Sequence, residues 1–465
     1  MKLKNIFLTA LTGIVFLTAI PDKSVTKTHA VNYVPNGAVA SVTVNNETSY
    51  YYNNTTSGGA EAMWNTAMKG NSAMIILYED WVSSYGTRFG TGEGFAFDGV
   101  LCVPSGHEIT IDLNGCSINR NLEFAIDNGE VIHVQNGGIL NITDTNTELG
   151  NIGKITGGNS LNGAGGIYVE TGGTVNMWGG NITGNHTESS GGGVLLVGEE
   201  SNFSMSGGTI SDNTASQCGG GVALSGGNLK LANGTISDNR AQSGGGIYAQ
   251  AGKVELFGGS LTQNIAVHGG GVLVNNTAEL VLRSKASIQG NIASGENRLG
   301  GGILAMSSMP IRVSGKISII DNSADGVQSN LVFWQDSESD TGISCYLQDA
   351  GLEESAKIGV SLSGKLKKAV FAPSWTGKND CFICDAMDYK IESQNNDMTL
   401  CRVTSYATVV GDKTMRSIIV VAVLVALAFL AILALVFKKS KTSEEQSKTS
   451  EKKKAKVAKR KSSSK

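Results

Sequence analysis

Proline is scarce in this sequence: only 5 of the 465 residues are proline, although 61 are glycine. A collagen-like chain needs glycine at every third position together with abundant proline, so this class is excluded. Charged residues make up 17 % of the chain, but apolar residues still make up 40 %, which is too many for a disordered protein. Because the glycines recur at long, regular intervals, the composition indicates a repeat protein.

The chain also lacks the positive charge that a nucleic-acid-binding protein would need. Its net charge is −3, of which the first thirty residues contribute +3 and residues 438–465, with twelve Lys or Arg and three Glu, contribute +9. Removing both segments leaves −15 on residues 31–437. We therefore expect no nucleic acid among the partners.

The N-terminus has the pattern of a signal peptide. Lys2 and Lys4 precede an apolar stretch at residues 6–20, which is too short to span a membrane. The small-residue motif at 28–30 predicts cleavage before Val31, so residues 1–30 are interpreted as a signal peptide. An uncleaved anchor or a buried core helix is the alternative.

The C-terminus predicts a single membrane-spanning helix. The segment from Ser417 to Phe437 contains twenty-one residues without a charge, which as a helix is about 31 Å long and matches the hydrocarbon core. The basic tail, 438–465, marks the cytoplasmic side and is expected to contact anionic lipid or to be disordered. With a short stalk at 404–416, this predicts a single-pass cell-membrane protein with its N-terminus outside and its C-terminus in the cytoplasm.

Two motifs recur in step between these ends. A Gly-Gly pair followed by an aliphatic residue occurs six times, with the aliphatic residue at Ile167, Val194, Val222, Ile247, Val272 and Ile303. Aliphatic-x-x-Asn alternates with it and ends at Asn185, Asn213, Asn239, Asn264, Asn291 and Asn322. Two independent motifs in register over six copies define a structural repeat of 25 to 31 residues.

Apolar residues inside each unit alternate with a period of two, which is the pattern of strands. In one unit, we expect inward side chains at Ile247, Ala249, Val254, Leu256 and Leu261. Three short strands separated by Gly or Asn turns describe one coil of a parallel β-helix. We predict about eight coils over residues 101–334, because a single coil cannot bury its apolar interior alone.

The segments on either side are interpreted as caps. Residues 31–100 predict a strand, a helix with apolar residues at helical spacing between 60 and 68, and a second strand, so that the helix closes the open end of the solenoid. Residues 335–403 contain short β patterns and predict a β-rich C-terminal cap.

We interpret the recurring asparagines as structural. Stacked at one turn of every coil, Asn185, Asn213, Asn239, Asn264, Asn291 and Asn322 are expected to form a hydrogen-bonded ladder. A metal site is not expected there, because carboxylates or His would be better ligands. Nor is zinc expected at Cys381-x-x-Cys384, which lacks a second pair of ligands. The triple glycines predict turns with positive φ and not a phosphate-binding loop, since no Lys-Ser/Thr follows them.

An outward, mildly apolar stripe is the predicted binding site. It consists of the residues after the Gly pairs, chiefly Tyr168, Leu195, Tyr248, Leu273 and Leu304, and would suit a glycan or a host surface protein, although ordinary surface is the alternative. Catalysis is not expected. Asp212 and Asp238 stack in turns without forming a carboxylate cluster, His186 and His268 have no paired acid in the sequence, and no cofactor is predicted.

The two repeat motifs resemble the GGA-aliphatic and FxxN repeats of the polymorphic outer membrane proteins over residues 131–334, although Ile or Leu stands where that family prefers Phe. The order of modules is also similar to that of β-helix surface proteins of Gram-positive bacteria, with matching segments at 76–80, 103–115 and 356–360. These resemblances imply an all-β, single-stranded, right-handed parallel β-helix of the pectin-lyase-like kind and a non-catalytic adhesin or binding role. A membrane-anchored polysaccharide lyase or glycoside hydrolase is the alternative, since such enzymes share this fold.

Overall fold

The computed structural model describes residues 34–52, 57–82, 99–146, 150–334, 345–364, 367–377 and 379–403. The chain divides into two compact units, Met1–Ala38 and Val39–Lys465. Of the first unit only residues 34–38 are described, and they contain a turn. The predicted signal peptide, stalk, membrane-spanning segment and tail lie outside the described residues. Among those that are described, no helix has the length and apolar character needed to cross a membrane.

The second unit is a parallel β-solenoid of about 10 turns. Each repeat turn contributes three main strands, as the sequence predicts, and each strand pairs in parallel with its equivalents in the turns before and after. The first strand of each turn follows the Gly pair or its upstream equivalent: Leu101–Val103, Ile132–Val134, Ile167–Val169, Val194–Leu196, Val222–Leu224, Ile247–Ala249, Val272–Val274, Ile303–Ala305 and Leu331–Phe333.

The second strands belong to a twelve-stranded sheet. They are Glu108–Asp112, Ile139–Thr143, Thr174–Met177, Asn202–Met205, Asn228–Leu231, Lys253–Leu256, Glu279–Leu282, Ile311–Gly315 and Leu347–Leu352. The third strands precede the repeated asparagine or its equivalent: Trp81–Val82, Ser117–Asn119, Lys154–Thr156, Asn181–Thr183, Thr209–Ser211, Thr235–Ser237, Ser260–Thr262, Ser287–Gln289 and Ser318–Ile320.

Two-residue strands also pair between turns at the corner after the asparagine. They are Asn159–Ser160, His186–Thr187, Thr214–Ala215, Ile265–Ala266, Ile292–Ala293 and Ser323–Ala324. The last of these also pairs in antiparallel fashion with Val327–Gln328, which follows it in the chain.

The solenoid begins with a mixed sheet. Ala40–Val44 pairs antiparallel with both Glu47–Tyr51 and Ser72–Leu77, and Ser72–Leu77 then pairs in parallel with Glu108–Asp112. The helix Ser57–Ala67 lies between these strands in the chain. The apolar residues at helical spacing lie on one face of this helix, and Met63, Trp64 and Ala67 are buried in the same core as the strands of the solenoid.

Parallel pairing continues beyond residue 334, where the sequence predicts a separate cap. Lys357–Leu362 extends the solenoid, because Ile358 aligns with Ile319 and Val360 aligns with Leu331. A short 3-10 helix, Asn379–Cys381, leads into Phe382–Cys384, which pairs with this strand in parallel. A small antiparallel sheet follows in the order Lys368–Ala372, Asp397–Arg402 and Tyr389–Gln394.

The interior is filled by aliphatic side chains that stack from turn to turn. The five inward residues predicted for the unit that begins at Ile247 are each no more than 1 % exposed, so the period-two interpretation is confirmed there. A single apolar cluster extends from Ala40 to Leu400. Because adjacent turns bury one another's strand edges, no turn is an independent folding unit.

Candidate functional site

One outward row runs along the first strands of the turns. Register pairing places one residue per turn directly above the next, and the row consists of Cys102, His133, Tyr168, Leu195, Ala223, Tyr248, Leu273, Leu304 and Val332. The residues of the predicted stripe are therefore aligned from turn to turn, and the row extends further in both directions than the sequence predicts.

The stripe is not an exposed surface. Leu195, Leu273 and Leu304 are only 8 %, 3 % and 1 % exposed, so the expectation of an outward apolar surface is wrong for these three. The cause is the turn that precedes each strand: a Cβ on Gly269 would lie 2.8 Å from the Cβ of Leu273. The glycine turn folds back over the outward side chain, and the leucines form two small clusters outside the main core.

The row becomes polar at its N-terminal end and opens into a cleft of about 420 Å³. Its lining includes three carboxylates, one imidazole and one phenol, and consists of Asp127, Asn128, Glu130, His133, Asn162, Gly163, Tyr168 and Glu170. Of the predicted stripe residues, Tyr168 alone is in this cleft. Leu273 and Leu304 instead line a smaller cavity of about 230 Å³ with His268 and Trp334.

His133 links the two glutamates of the cleft. Its Nδ1 lies 2.8 Å from Oε1 of Glu130, and its Nε2 lies 2.9 Å from Oε1 of Glu170 on the next turn. Carboxylates only accept hydrogen bonds, so both ring nitrogens donate when the glutamates are ionised. The imidazole also stacks on Tyr168, with ring centroids 4.7 Å apart and an angle of 27° between the planes.

Titration in the cleft follows from this arrangement. Burial by itself would lower the pKa of His133, but the hydrogen bonds and charges of Glu130 and Glu170 outweigh it, so the pKa is raised above its ordinary value. Burial, reinforced by the two glutamates, raises the pKa of the neighbouring Cys102 thiol to about 12. Cys102 is thus a protonated thiol at neutral pH and is not an activated nucleophile.

The other polar atoms are only partly satisfied. Oε2 of Glu170 accepts a hydrogen bond from the backbone N–H of Asn136, and Oδ1 of Asp127 accepts one from Nδ2 of Asn162. In contrast, Oε2 of Glu130 is buried and has no hydrogen-bond partner among the described residues. The cleft thus contains one buried carboxylate oxygen without a donor, which is costly unless a ligand supplies one.

The sequence contained a weak signal for this cluster. Glu130 and His133 are three residues apart and lie upstream of the regular Gly-Gly repeats, but Glu170 is 37 residues beyond His133, on the turn that begins with the first Gly-Gly pair. The interpretation that His186 has no paired acid is also wrong, because its Nε2 lies 3.2 Å from Oε1 of Glu188 on the surface. Among the described residues, no three His, Cys, Asp or Glu side chains have an arrangement that could hold a metal ion.

The repeated asparagines form a continuous buried ladder. The side-chain Nδ2 of each of the first five donates to Oδ1 of the asparagine one turn further along, over 2.9–3.0 Å, and all six are at most 1 % exposed: Asn185, Asn213, Asn239, Asn264, Asn291 and Asn322. Each Oδ1 after the first also accepts the backbone N–H of the preceding rung. The ladder therefore satisfies buried backbone and side-chain groups together and leaves no free donor for a ligand.

The ladder continues to an anion at its C-terminal end. Asn322 donates to Asn330 (3.0 Å), and Asn330 donates to Asp385 from both its side chain (2.7 Å) and its backbone (2.8 Å). All rungs donate in the same direction, so a carboxylate receives the donor end of a row of aligned amides, as at a helix N-terminus. Burial raises the pKa of Asp385, although the hydrogen bonds from Asn330 oppose that shift.

Asp212 and Asp238 occupy the position before a ladder asparagine, where the backbone is left-handed. These positions have φ between 56° and 68° in six successive turns and are occupied by Gly184, Asp212, Asp238, Gln263, Gly290 and Asp321. Both aspartates are exposed, so they are turn residues in the left-handed region and not a carboxylate cluster.

Comparison of this chain with models of protein families, with curated proteins and with solved structures gives no match.

Proposed function

We propose that this protein is a cell-surface, single-pass membrane protein whose solenoid acts as a non-catalytic adhesin or binding module. The observation that carries this proposal is the acidic cleft. One oxygen of Glu130 and one of Glu170 are engaged by the same imidazole, and Cys102 beside them is a protonated thiol. This supports ligand binding, because carboxylates, an imidazole and a phenol line one opening and the thiol beside them is protonated and not activated.

The proposal includes the finer features of the fold. We take the solenoid to be a right-handed, pectin-lyase-like β-helix, since crossover connections between parallel strands are overwhelmingly right-handed. This agrees with the resemblance to β-helix surface proteins of Gram-positive bacteria.

Surface display follows from the segment between Ser417 and Phe437 and the basic tail behind it. Proteolysis of intact cells should release the solenoid and leave the lysine-rich tail protected. A tail digested from outside the intact cell would contradict this topology.

The binding role is tested by screening the purified full-length protein against immobilised glycans and extracellular proteins. We expect retention on at least one class of surface, with loss of retention when Glu130 and Glu170 are both replaced by Gln. If the protein is retained on no surface, the binding role is wrong.

A second candidate function is a polysaccharide lyase or glycoside hydrolase. The observation that favours it is that Asp127, Glu130 and Glu170 line one cleft, because paired carboxylates are the usual acid and base of glycoside hydrolysis. New reducing or unsaturated sugar ends, formed only in the presence of the protein, would support this candidate.

A further inference from the structure

The cleft has the charge pattern of a site for a cation. Its lining contains Asp127, Glu130 and Glu170 but no Lys or Arg, and the single positive charge available is that of His133. One protonated imidazole against three carboxylates leaves a net negative charge at the opening. Residues 31–437 carry −15 in total, so the long-range field of the protein favours the approach of cations.

Glu130 provides the second, independent observation. The residue is only 2 % exposed, and its Oε2 has no hydrogen-bond partner among the described residues. This oxygen faces the lining of the cleft, since a Cβ on Gly163 would lie 3.3 Å from it. A buried carboxylate oxygen without a donor is unfavourable by itself and becomes favourable when a charged N–H group reaches it.

The wall beside this oxygen is aromatic. The same hypothetical Cβ on Gly163 would lie 3.4 Å from Cδ2 of Tyr168, so the phenol ring and Glu130 meet at one point of the cleft. A cation that reaches Oε2 there would also lie near the edge of the phenol ring, one face of which is stacked on His133. Glycine at position 163 places no side chain over this oxygen.

We propose that the cleft binds the primary ammonium group of a ligand, with Glu130 as its principal acceptor and Asp127 and Glu170 at the rim. This inference rests on the proposed binding function and gives it a ligand chemistry. The ammonium group has two sources at a cell surface, namely a lysine side chain of a partner protein and the free amino group of a deacetylated amino sugar.

The experiment measures binding of the full-length protein to two pairs of probes by calorimetry. One pair is a glucosamine oligosaccharide and its N-acetylated form, and the other is a lysine-containing peptide and the same peptide acetylated on its lysines. Acetylation removes the charge and keeps most of the shape, so the ammonium form should bind at least about tenfold more tightly in one or both pairs. The pair that shows the difference identifies the source.

The matched variants are Glu130→Gln and Glu188→Gln. Glu188 also pairs with a histidine, His186, but it is exposed and outside the cleft. Glu130→Gln should weaken ammonium binding at least about tenfold, whereas Glu188→Gln should leave it unchanged. If Glu130→Gln does not fold, Asp127→Asn at the exposed rim should weaken binding by a smaller factor that decreases as salt is raised.

Equal binding of the acetylated and free forms, equal binding by the Glu130→Gln and Glu188→Gln proteins, or no binding of any amine would each overturn the ammonium site. Retention on a glycan or protein surface that survives both acetylation and Glu130→Gln would overturn it while leaving the proposed binding role intact.

Discussion

A Cβ on Gly221 would lie 3.1 Å from Nδ2 of Asn239, the ladder rung of the same turn. The same relationship holds between Gly193 and Asn213, at 3.1 Å. The Gly-Gly motif and the aliphatic-x-x-Asn motif therefore meet in one contact. A side chain on Gly221 would also meet the aliphatic residue of that motif, Ile236, at 2.9 Å and the backbone oxygen of Gly246 on the next turn at 2.6 Å.

The first prediction concerns one ladder rung. Replacing Asn239 with Ala removes donors to Asn264 and to the backbone oxygen of Ile210 and should lower the free energy of unfolding by about 1–3 kcal/mol. Asn239→Asp should cost more, because it places an acceptor against two acceptors. Thermal unfolding measures both, and the exposed Asn233→Ala is the control. Melting curves that coincide for the two Asn239 variants and wild type would refute the ladder's role in stability.

The second prediction concerns the contact between the motifs. Gly221→Ala should destabilise by about 1–3 kcal/mol through crowding alone, since φ at Gly221 is not in the left-handed region. Combining it with Asn239→Ala should cost slightly less than the sum of the two single changes, because the shorter side chain relieves the contact with Nδ2 but not the closer contacts with the backbone oxygen of Gly246 (2.6 Å) and Cγ2 of Ile236 (2.9 Å). A double-mutant cycle measures this coupling. Gly106→Ala, where φ is 74° and no atom lies within 4 Å, reports the conformational cost alone. Strict additivity in the cycle would be evidence against the contact.

The third prediction corrects the sequence interpretation of the stripe. Leu273→Ser should lower the free energy of unfolding by about 2–5 kcal/mol, because the leucine side chain is buried and its removal leaves a cavity. An exposed side chain would cost much less. Ile292→Ser is the matched control, because Ile292 is 36 % exposed and its replacement should change stability little. Similar thermal unfolding of the two variants would show that the glycine turn does not cover the stripe.

The fourth prediction is a pH dependence. Glu130 and Glu170 raise the pKa of His133 in the folded protein above its value of 6.5 in the unfolded chain. The protonated imidazole therefore stabilises the fold fully at a pH below 6.5, and this stabilisation is lost as the pH rises through the pKa of the folded state. Cys102 and Tyr168, which also face the ring, remain protonated over this range because burial raises both their pKa values. The melting temperature of wild type should therefore exceed that of His133→Gln most at mildly acidic pH.

The control for this titration is His107→Gln. The side chain of His107 is hydrogen-bonded to the backbone oxygen of Ser105 and not to a carboxylate. A difference between wild type and His133→Gln that is constant from pH 5.5 to 8.5 would show that the bridge between the glutamates is not charged. This pH range extends to both sides of the pKa of histidine in the unfolded chain.

The repeated turns could be predicted from the sequence because period-two alternation and one asparagine per turn are local and periodic. The cover over Leu273 could not, since alternation assigns a side chain to one face of a strand but does not show what lies over that face. The cleft was missed for a different reason. Glu130, His133 and Glu170 meet only when turns of unequal length are stacked, and register between such turns is set by the whole solenoid.

The triple glycines show one feature that the sequence predicts and one that it does not. Positive φ was predicted for the triple-glycine turns, and the first glycine of each, such as Gly219 and Gly244, has it. The third glycine, such as Gly221, is required for lack of space instead, because a Cβ there would lie 2.6 Å from the backbone oxygen of Gly246 on the next turn and 3.1 Å from Nδ2 of Asn239, eighteen residues further along the chain. Spatial crowding of this kind has no local signature in sequence.

The most direct test of the account is whether the protein holds glycans without cleaving them. The purified full-length protein is incubated with pectin, alginate and glycosaminoglycan, and with any glycan retained in the binding screen, and the mixture is assayed for new reducing and unsaturated ends. We predict no increase over a protein-free control and recovery of every retained glycan at its original length. Release of sugar ends that is abolished by Glu130→Gln or Glu170→Gln would contradict the account and identify the cleft as a catalytic site.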